Sequence, residues 1–391
     1  MRLRLALVAA VWAVAPAMAD VPVYHRGVSM HLEFTDTMAH LARVQSEARN
    51  IAEAGFDFVR LTVDPFVYLE RQSDEQTNQL NAGVLAAVLQ IEKNGLKVIV
   101  DLHAIPKSGK REIGSVEYAE TDKVFADYGA VAASLAAAIE ADGTTGRAFE
   151  PFNEPVLDCE KNISAKWPDL ALQLHDRIRN RAAQITLVME GGCWGGAQGL
   201  SALSPEAFHD DHIIWSFHDY GPMIFTHQGA SWVAGSPHYA AGLPYPPVQE
   251  ALTAAVAQSR QKMAMSDIAP DKLHKRQRQE IGAVRYYFSH NHAKLETEEA
   301  FRRVAVWADR HRIKPDRILF GEFGAIRPGS SSEPSLQSRS NYLLAKRRVS
   351  EAHGWAWSVW EWGGSFGIAK SEGAGGIEPA LANALGLSGR N

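Results

Sequence analysis

Eight short apolar runs punctuate this chain, and helical periodicity fills most of the intervals between them. The runs fall at 24–30, 56–63, 96–102, Ala148 and Phe149, 185–189, 213–217, 317–320 and 355–360. Helical patterns lie over 45–54, 77–94, 122–141, 168–183, 297–312 and 335–353, with a last short one at 379–385. Gly55 and Gly95 follow the first two as stop signals. Strands alternating with helices imply parallel βαβ units. Eight of them, with no Pro/Gly/Ser-rich linker and no internal repeat, imply one closed (β/α)8 TIM barrel. An open doubly wound sheet is the competing architecture, but no glycine-rich phosphate fingerprint follows the first run. The 391 residues are 46% apolar, enough to fill a large core of this kind.

The first nineteen residues stand outside that pattern. Arg2 and Arg4 precede an apolar run over 5–14, and Ala17-Met18-Ala19 forms a small-x-small site before Asp20. This predicts a secretory signal peptide over 1–19 and a barrel domain over 20–391. The apolar run is too short to span a bilayer, and no other segment approaches a span. The expected product is exported, monomeric and free of membrane after cleavage. Net charge is −5 and no long basic run occurs, which argues against a nucleic-acid partner. Cys159 and Cys193 both follow expected strand ends. An oxidising compartment permits a disulfide, and the sequence leaves pairing open. Two thiols without clustered histidines make a poor zinc site, so no metal and no cofactor are expected.

In a barrel, the C-terminal strand tips share one face, where chemistry sits. Here the tips offer Arg60, His103, Asn153 and Glu154, His218 and Tyr220, Glu322, and Trp360. Polar and aromatic groups at six tips of eight are hard to explain by folding needs. The stretch from Phe149 to Pro155 sets a carboxylate and an amide side by side where a strand should end. A buried carboxylate without a partner is expensive, so this is a poor way to build a core. Glu154 and Glu322 are far apart in sequence, and only barrel closure brings them together. A facing pair of carboxyls is what glycoside hydrolysis requires: one protonated to help the leaving oxygen depart, the other ionised. Like charges at close range push one pKa up, which supplies the acid.

Asn153-Glu154-Pro155, Gly321-Glu322-Phe323-Gly324 and the intervening His218-x-Tyr220 together resemble glycoside hydrolase family 5, the cellulase type. The resemblance runs from Arg26-Gly27-Val28 to Trp360-Glu361-Trp362. It implies a retaining β-glycosidase with Glu154 as acid/base and Glu322 as nucleophile. It further implies that Arg60 holds the nucleophile and that Asn153 bonds a sugar 2-hydroxyl. His103, His218 and Tyr220 would line the subsite at the scissile bond, with Trp360 as a stacking floor. Glu150 should point inward, toward Arg60 or a polar network. Asp101 should hold a neighbour, and Asp219 should face away.

The connection from 221 to 295 is longer than the pattern requires. His227, Trp232 and Tyr245 in it either shape substrate subsites or belong to a structural cap, and Trp232 is taken as a substrate contact. The expected substrate is a polysaccharide or oligosaccharide, with a β-1,4-glucan or related exopolysaccharide favoured. Competing readings are an exo-acting β-glucosidase or β-mannanase of the same family and a binding-only barrel. A metal-assisted hydrolase using Asp101, His103 and His218 is a further alternative.

Overall fold

The computed structural model describes residues 20–34, 37–71, 73–104, 122–159, 166–289, 292–327, 334–371 and 375–387. The expected leader, 1–19, lies outside the described residues. Eight parallel strands close into a barrel in sequence order. They are β1 (Arg26–Leu32), β2 (Phe58–Val63), β3 (Lys97–Leu102), β4 (Arg147–Glu150), β5 (Thr186–Glu190), β6 (Ile213–His218), β7 (Ile318–Phe323) and β8 (Ala356–Val359). β1 pairs with both β2 and β8, which completes the ring.

Strand alternation sorts the side chains into two populations. Outward residues such as Val59, Leu61, Val98, Val100, Phe217 and Phe320 join one large core with the surrounding helices. Inward, a floor of Phe58, Ile99, Ala148, Val188, Ile214, Leu319 and Ala356 seals the barrel's lower end. Two residues further along β2, β4, β5 and β6, the inward positions become Arg60, Glu150, Glu190 and Ser216, all buried. The barrel is therefore apolar at its base and charged one layer higher.

Helices Thr37–Ala54, Asp74–Glu92, Asp122–Asp142 and Trp167–Arg179 follow the first four strands. Asp122–Asp142 corrects one expectation. By length and composition it is apolar enough to cross a membrane, but it packs on the barrel through Val131, Leu135 and Ile139. β5 departs from the regular unit. Only the four-residue helix Ala197–Leu200 and a 3-10 turn, Pro205–Phe208, separate it from β6. Trp307, from helix His292–His311, closes that flank by stacking edge-on against Trp215 and donating to the Leu203 carbonyl at 3.0 Å.

The long connection after β6 holds helices Leu252–Ala264 and Pro270–Tyr287. The sequence predicts at least one helix in this connection, around 250–263; the second adds to it, and the helix before β7 begins at His292. Tyr245 is buried against Phe225 and Tyr342. It is a core residue of this connection, which corrects its candidacy as a subsite residue.

Cys159 and Cys193 are bonded, with Cα atoms 4.5 Å apart and a sequence separation of 34. The bridge ties the loop after β4 to the loop after β5. Closing a loop of this length in the unfolded chain is worth about 3–4 kcal/mol on the chain-entropy model. A Cys159→Ser/Cys193→Ser double variant is expected to lose roughly that much in urea unfolding. A loss below about 1 kcal/mol would show the bridge to be incidental.

Candidate active site

Arg60 organises the polar layer. It lies in the middle of β2, not near its tip as expected, and reaches upward from full burial. Its Nε and Nη2 donate to Glu150 at 2.7 and 3.0 Å. Nη1 donates to Glu322 Oε1 at 2.5 Å, and Nη2 also donates to Asn153 Oδ1 at 2.7 Å. Asp101 Oδ2 stands 3.0 Å from Nη2. A planar fork of five donors suits this set of acceptors in a way an ammonium cannot. Glu150 thus points inward to Arg60, as its spacing implied.

Glu322 owes its aim to an irregularity in β7. Strict alternation would turn it outward, because Leu319 and Gly321 face in. The pairing register with β6 shifts between Phe217 and His218, so that His218 stands opposite Glu322. Such a bulge re-aims a side chain, and Glu322 enters the barrel mouth. Gly321 must lack a side chain, since a Cβ there would lie 2.8 Å from His218 Nε2. Tyr220 donates its hydroxyl to Glu322 Oε2 at 2.7 Å.

Glu154 sits just past β4 with φ of 49°, a left-handed conformation that non-glycine residues adopt at a cost. Its carboxylate meets His218 Nδ1 at 2.8 Å. One oxygen of Glu154, one of Glu322 and a ring nitrogen of His218 all lie within 4.8 Å of one another. The two carboxyls therefore face a single space.

Their environments push them apart. Burial, with Glu322 close by, raises the Glu154 pKa against the opposing pull of His218. Burial would raise Glu322 too, but His218, Arg60, His103 and the Tyr220 hydroxyl outweigh it and hold that carboxyl below its ordinary range. One group is biased toward the acid, the other toward the anion.

The remaining expected residues gather around this pair. His103 Nδ1 is 3.0 Å from Asp101 Oδ2, as Asp101's holding role implied, and its Nε2 is 3.3 Å from Asn153 Nδ2. Its ring stacks on Trp360 with centroids 4.9 Å apart. Asp219 turns away and pairs with the buried Lys346 at 2.5 Å. Trp232 stands apart from the cluster. It is 57% exposed, and its ring lies 6.4 Å from Phe366, which in turn contacts Tyr220. His227 is buried beneath, edge-on to Tyr220 and Phe366, and supports the wall rather than lining it.

Three residues escaped the sequence reading. Glu190 ends β5, where the run was expected to stop at Met189; nothing but its carboxylate marks it. His31 lies edge-on to Trp360 and pairs with Glu361 and Thr62. Trp194 is 53% exposed in the glycine-rich loop after β5, and its N–H donates to the Pro155 carbonyl at 2.7 Å. An aromatic residue among five glycines was the available signal.

Among the described residues, two groups could hold a cation by geometry: Glu150, Glu190 and His218, and Glu154, His218 and Glu322. Neither is the Asp101–His103–His218 set of the metal-assisted alternative. Arg60 and His218 already lie among these carboxylates as their counter-charges.

Comparison with known proteins shows the family and the fold. A family model described as cellulase, glycosyl hydrolase family 5, matches residues 18–365. Endoglucanase 3 of Fibrobacter succinogenes is 25% identical over 88% of this chain and 49% of its own length. Cellodextrinase A of Ruminococcus flavefaciens is 27% identical over 48% of this chain and 54% of its own. The chain thus spans about half the length of these relatives. Among solved structures, Thermotoga maritima Cel5A in complex with cellobiose superposes with a TM-score of 0.61 at 20% identity, covering 93% of this chain and 97% of that one. The cellulose synthase subunit Z of Clostridioides difficile gives 0.64 at 19% identity, covering 93% and 99%.

Proposed function

Because the chain belongs to glycosyl hydrolase family 5, the cellulase family, we propose that it is an exported, retaining β-glycoside hydrolase that cleaves β-1,4-linked glucan within the chain. The observation that carries this is the approach of Glu154 and Glu322 to within 4.8 Å, with opposite protonation biases. Retaining enzymes set their carboxyls about 5–5.5 Å apart, too close to leave a water between nucleophile and sugar.

In the first step, Glu322 attacks the anomeric carbon as Glu154 gives its proton to the departing glycosidic oxygen. A covalent glycosyl-enzyme results. In the second step, Glu154, now a carboxylate, takes a proton from water, whose oxygen displaces Glu322 from the anomeric carbon. Arg60 and Tyr220 keep the nucleophile ionised and oriented by charge-assisted bonds. Asn153 accepts from Arg60 through its oxygen and turns one amide hydrogen toward His103 Nε2, which leaves the other for a sugar hydroxyl. Trp360, backed by His103 and His31, offers a flat face to a pyranose. Trp194 beside the Glu154 loop and Trp232 beyond Phe366 supply exposed rings on different loops, a layout suited to a chain that passes through the site. Export rests on the leader-like first nineteen residues.

A 2-deoxy-2-fluoro cellobioside with an activated leaving group tests the mechanism. Peptide mapping should find the sugar on Glu322, and proton NMR of oligosaccharide hydrolysis should show the β-anomer first. A label elsewhere, or an α-anomer first, would refute the double displacement. Product profiles across β-glucans, mannans and exopolysaccharides test the substrate. Release of only monomer or dimer from chain ends would overturn internal cleavage.

A further inference from the structure

Glu190 reaches the acid/base by two routes at once. Its Oε2 accepts the backbone N–H of Glu154 at 2.8 Å, the N–H of the residue held at φ of 49°. Its Oε1 stands 2.5 Å from His218 Nε2, and the other nitrogen of that ring is 2.8 Å from Glu154 Oε1. The loop after β5 is built around this carboxylate. Gly195, at φ of 62°, passes so close that a Cβ would lie 2.6 Å from Glu190 Oε2. The Gly195 carbonyl then accepts the backbone N–H of His218 at 2.8 Å. Trp167 donates its indole N–H to the Glu190 carbonyl at 2.8 Å, and Ser216 donates its hydroxyl to Oε1 at 3.3 Å.

We propose that Glu190 is a positioning residue that keeps the acidic proton of Glu154 on the oxygen facing the leaving group. This rests on the assignment of Glu154 as acid/base. The logic lies in the histidine. From neighbouring elements, Glu154, Glu190 and Glu322 all face its ring, and Glu150, held by Arg60, stands within 4.8 Å of Glu190 and of the ring. Burial alone would discharge the imidazole, but these carboxylates raise its pKa well above the ordinary value. Burial likewise opposes ionisation of Glu190, yet His218 and Arg60 bring it down to about 2. With Glu190 anionic, His218 is an imidazolium: its Nε2–H faces Glu190 as an ion pair, and its Nδ1–H donates to Glu154. Its Nδ1–H then occupies Glu154 Oε1, so a protonated Glu154 carries its hydrogen on Oε2. That hydrogen passes to the glycosidic oxygen as the C1–O bond breaks and the bond from Glu322 to C1 forms. Were Glu190 neutral, His218 would keep one hydrogen, on Nε2. The bare Nδ1 would then accept the Glu154 proton and withhold it from the leaving group.

The test is Glu190→Gln, with kcat/KM measured against pH on two substrates. One is a β-1,4-gluco-oligosaccharide, whose leaving alcohol needs a proton; the other is a 2,4-dinitrophenyl β-cellobioside, whose leaving group does not. The variant is expected to lose about 100-fold on the oligosaccharide and less than about threefold on the aryl glycoside. Its oligosaccharide optimum should move to lower pH, where protonating His218 frees the acid again. Equal losses on both substrates, or an unshifted optimum, would overturn the proposal. Gly195→Ala displaces the Glu190 carboxylate without altering any charge and should show the same substrate selectivity; it decides the matter if Glu190→Gln does not fold. Glu154→Gln serves as the control. If that variant shows no leaving-group selectivity, the acid/base assignment fails, whatever Glu190 does.

Discussion

Glu322→Ala is expected to lower kcat by at least about 10⁴-fold, because it removes the carboxylate that attacks the anomeric carbon. The fold should persist. Arg60 keeps Glu150, Asp101 and Asn153 as partners, and a small polar hole at the barrel mouth can hydrate. Sugar affinity, measured by calorimetry with a β-1,4-gluco-oligosaccharide, should stay within about threefold of wild type, since the nucleophile's work is done in the transition state. Azide can enter the space left by the carboxylate. With an activated β-glycosyl fluoride it should restore turnover and yield the α-glycosyl azide, the product of a single inversion. Wild-type turnover in this variant would end the two-carboxylate account, and a β-azide would mean that some other nucleophile acts first.

Much of this site could be read from the chain because barrel geometry turns strand ends into neighbours. His103, Asn153, His218 and Trp360 each follow or end an apolar run, and the fold collects them. What remained hidden has physical causes. Glu190 looks like the first residue of a glycine-rich loop, and only β5 pairing draws it into the strand. Its role comes from the Glu154 amide and the His218 ring, contacts between residues far apart in sequence. The helix Pro270–Tyr287 escaped because its buried positions, Ile281, Val284 and Tyr287, come late, after a stretch dense in Lys, Arg and Gln. Arg60 looked like a tip residue because charge inside a barrel is rare. The structure places it deeper because Glu150, Asp101 and Glu322 meet it there. The exposed ring of Trp232 had a composition signal but no periodicity to say how near the cleft it would stand.

Arg60→Met should be the most destabilising single change in the barrel mouth. Methionine fits the stem of the side chain but supplies no donor, and Asp101, Glu150 and Glu322 would be left buried without their shared cation. Breaking a buried ion pair on one side costs about 3–5 kcal/mol, far more than the net worth of the intact pair. The deficit should depend on pH, with a determinate sign. Buried carboxyls without a cation have folded pKa values above their unfolded ones. Their burden is absent at low pH, where both states are protonated, and grows as pH rises and the unfolded chain ionises more readily. Urea unfolding should therefore show a smaller gap to wild type at pH 5 than at pH 8. Arg60→Lys separates charge from shape. It restores a cation but not the fork that reaches Glu150, Asn153 and Glu322 together, so stability should return in part while kcat stays low. A loss below about 1 kcal/mol in Arg60→Met at pH 8 would mean that Glu322 is already neutral in the native protein, without the charge its role as nucleophile demands.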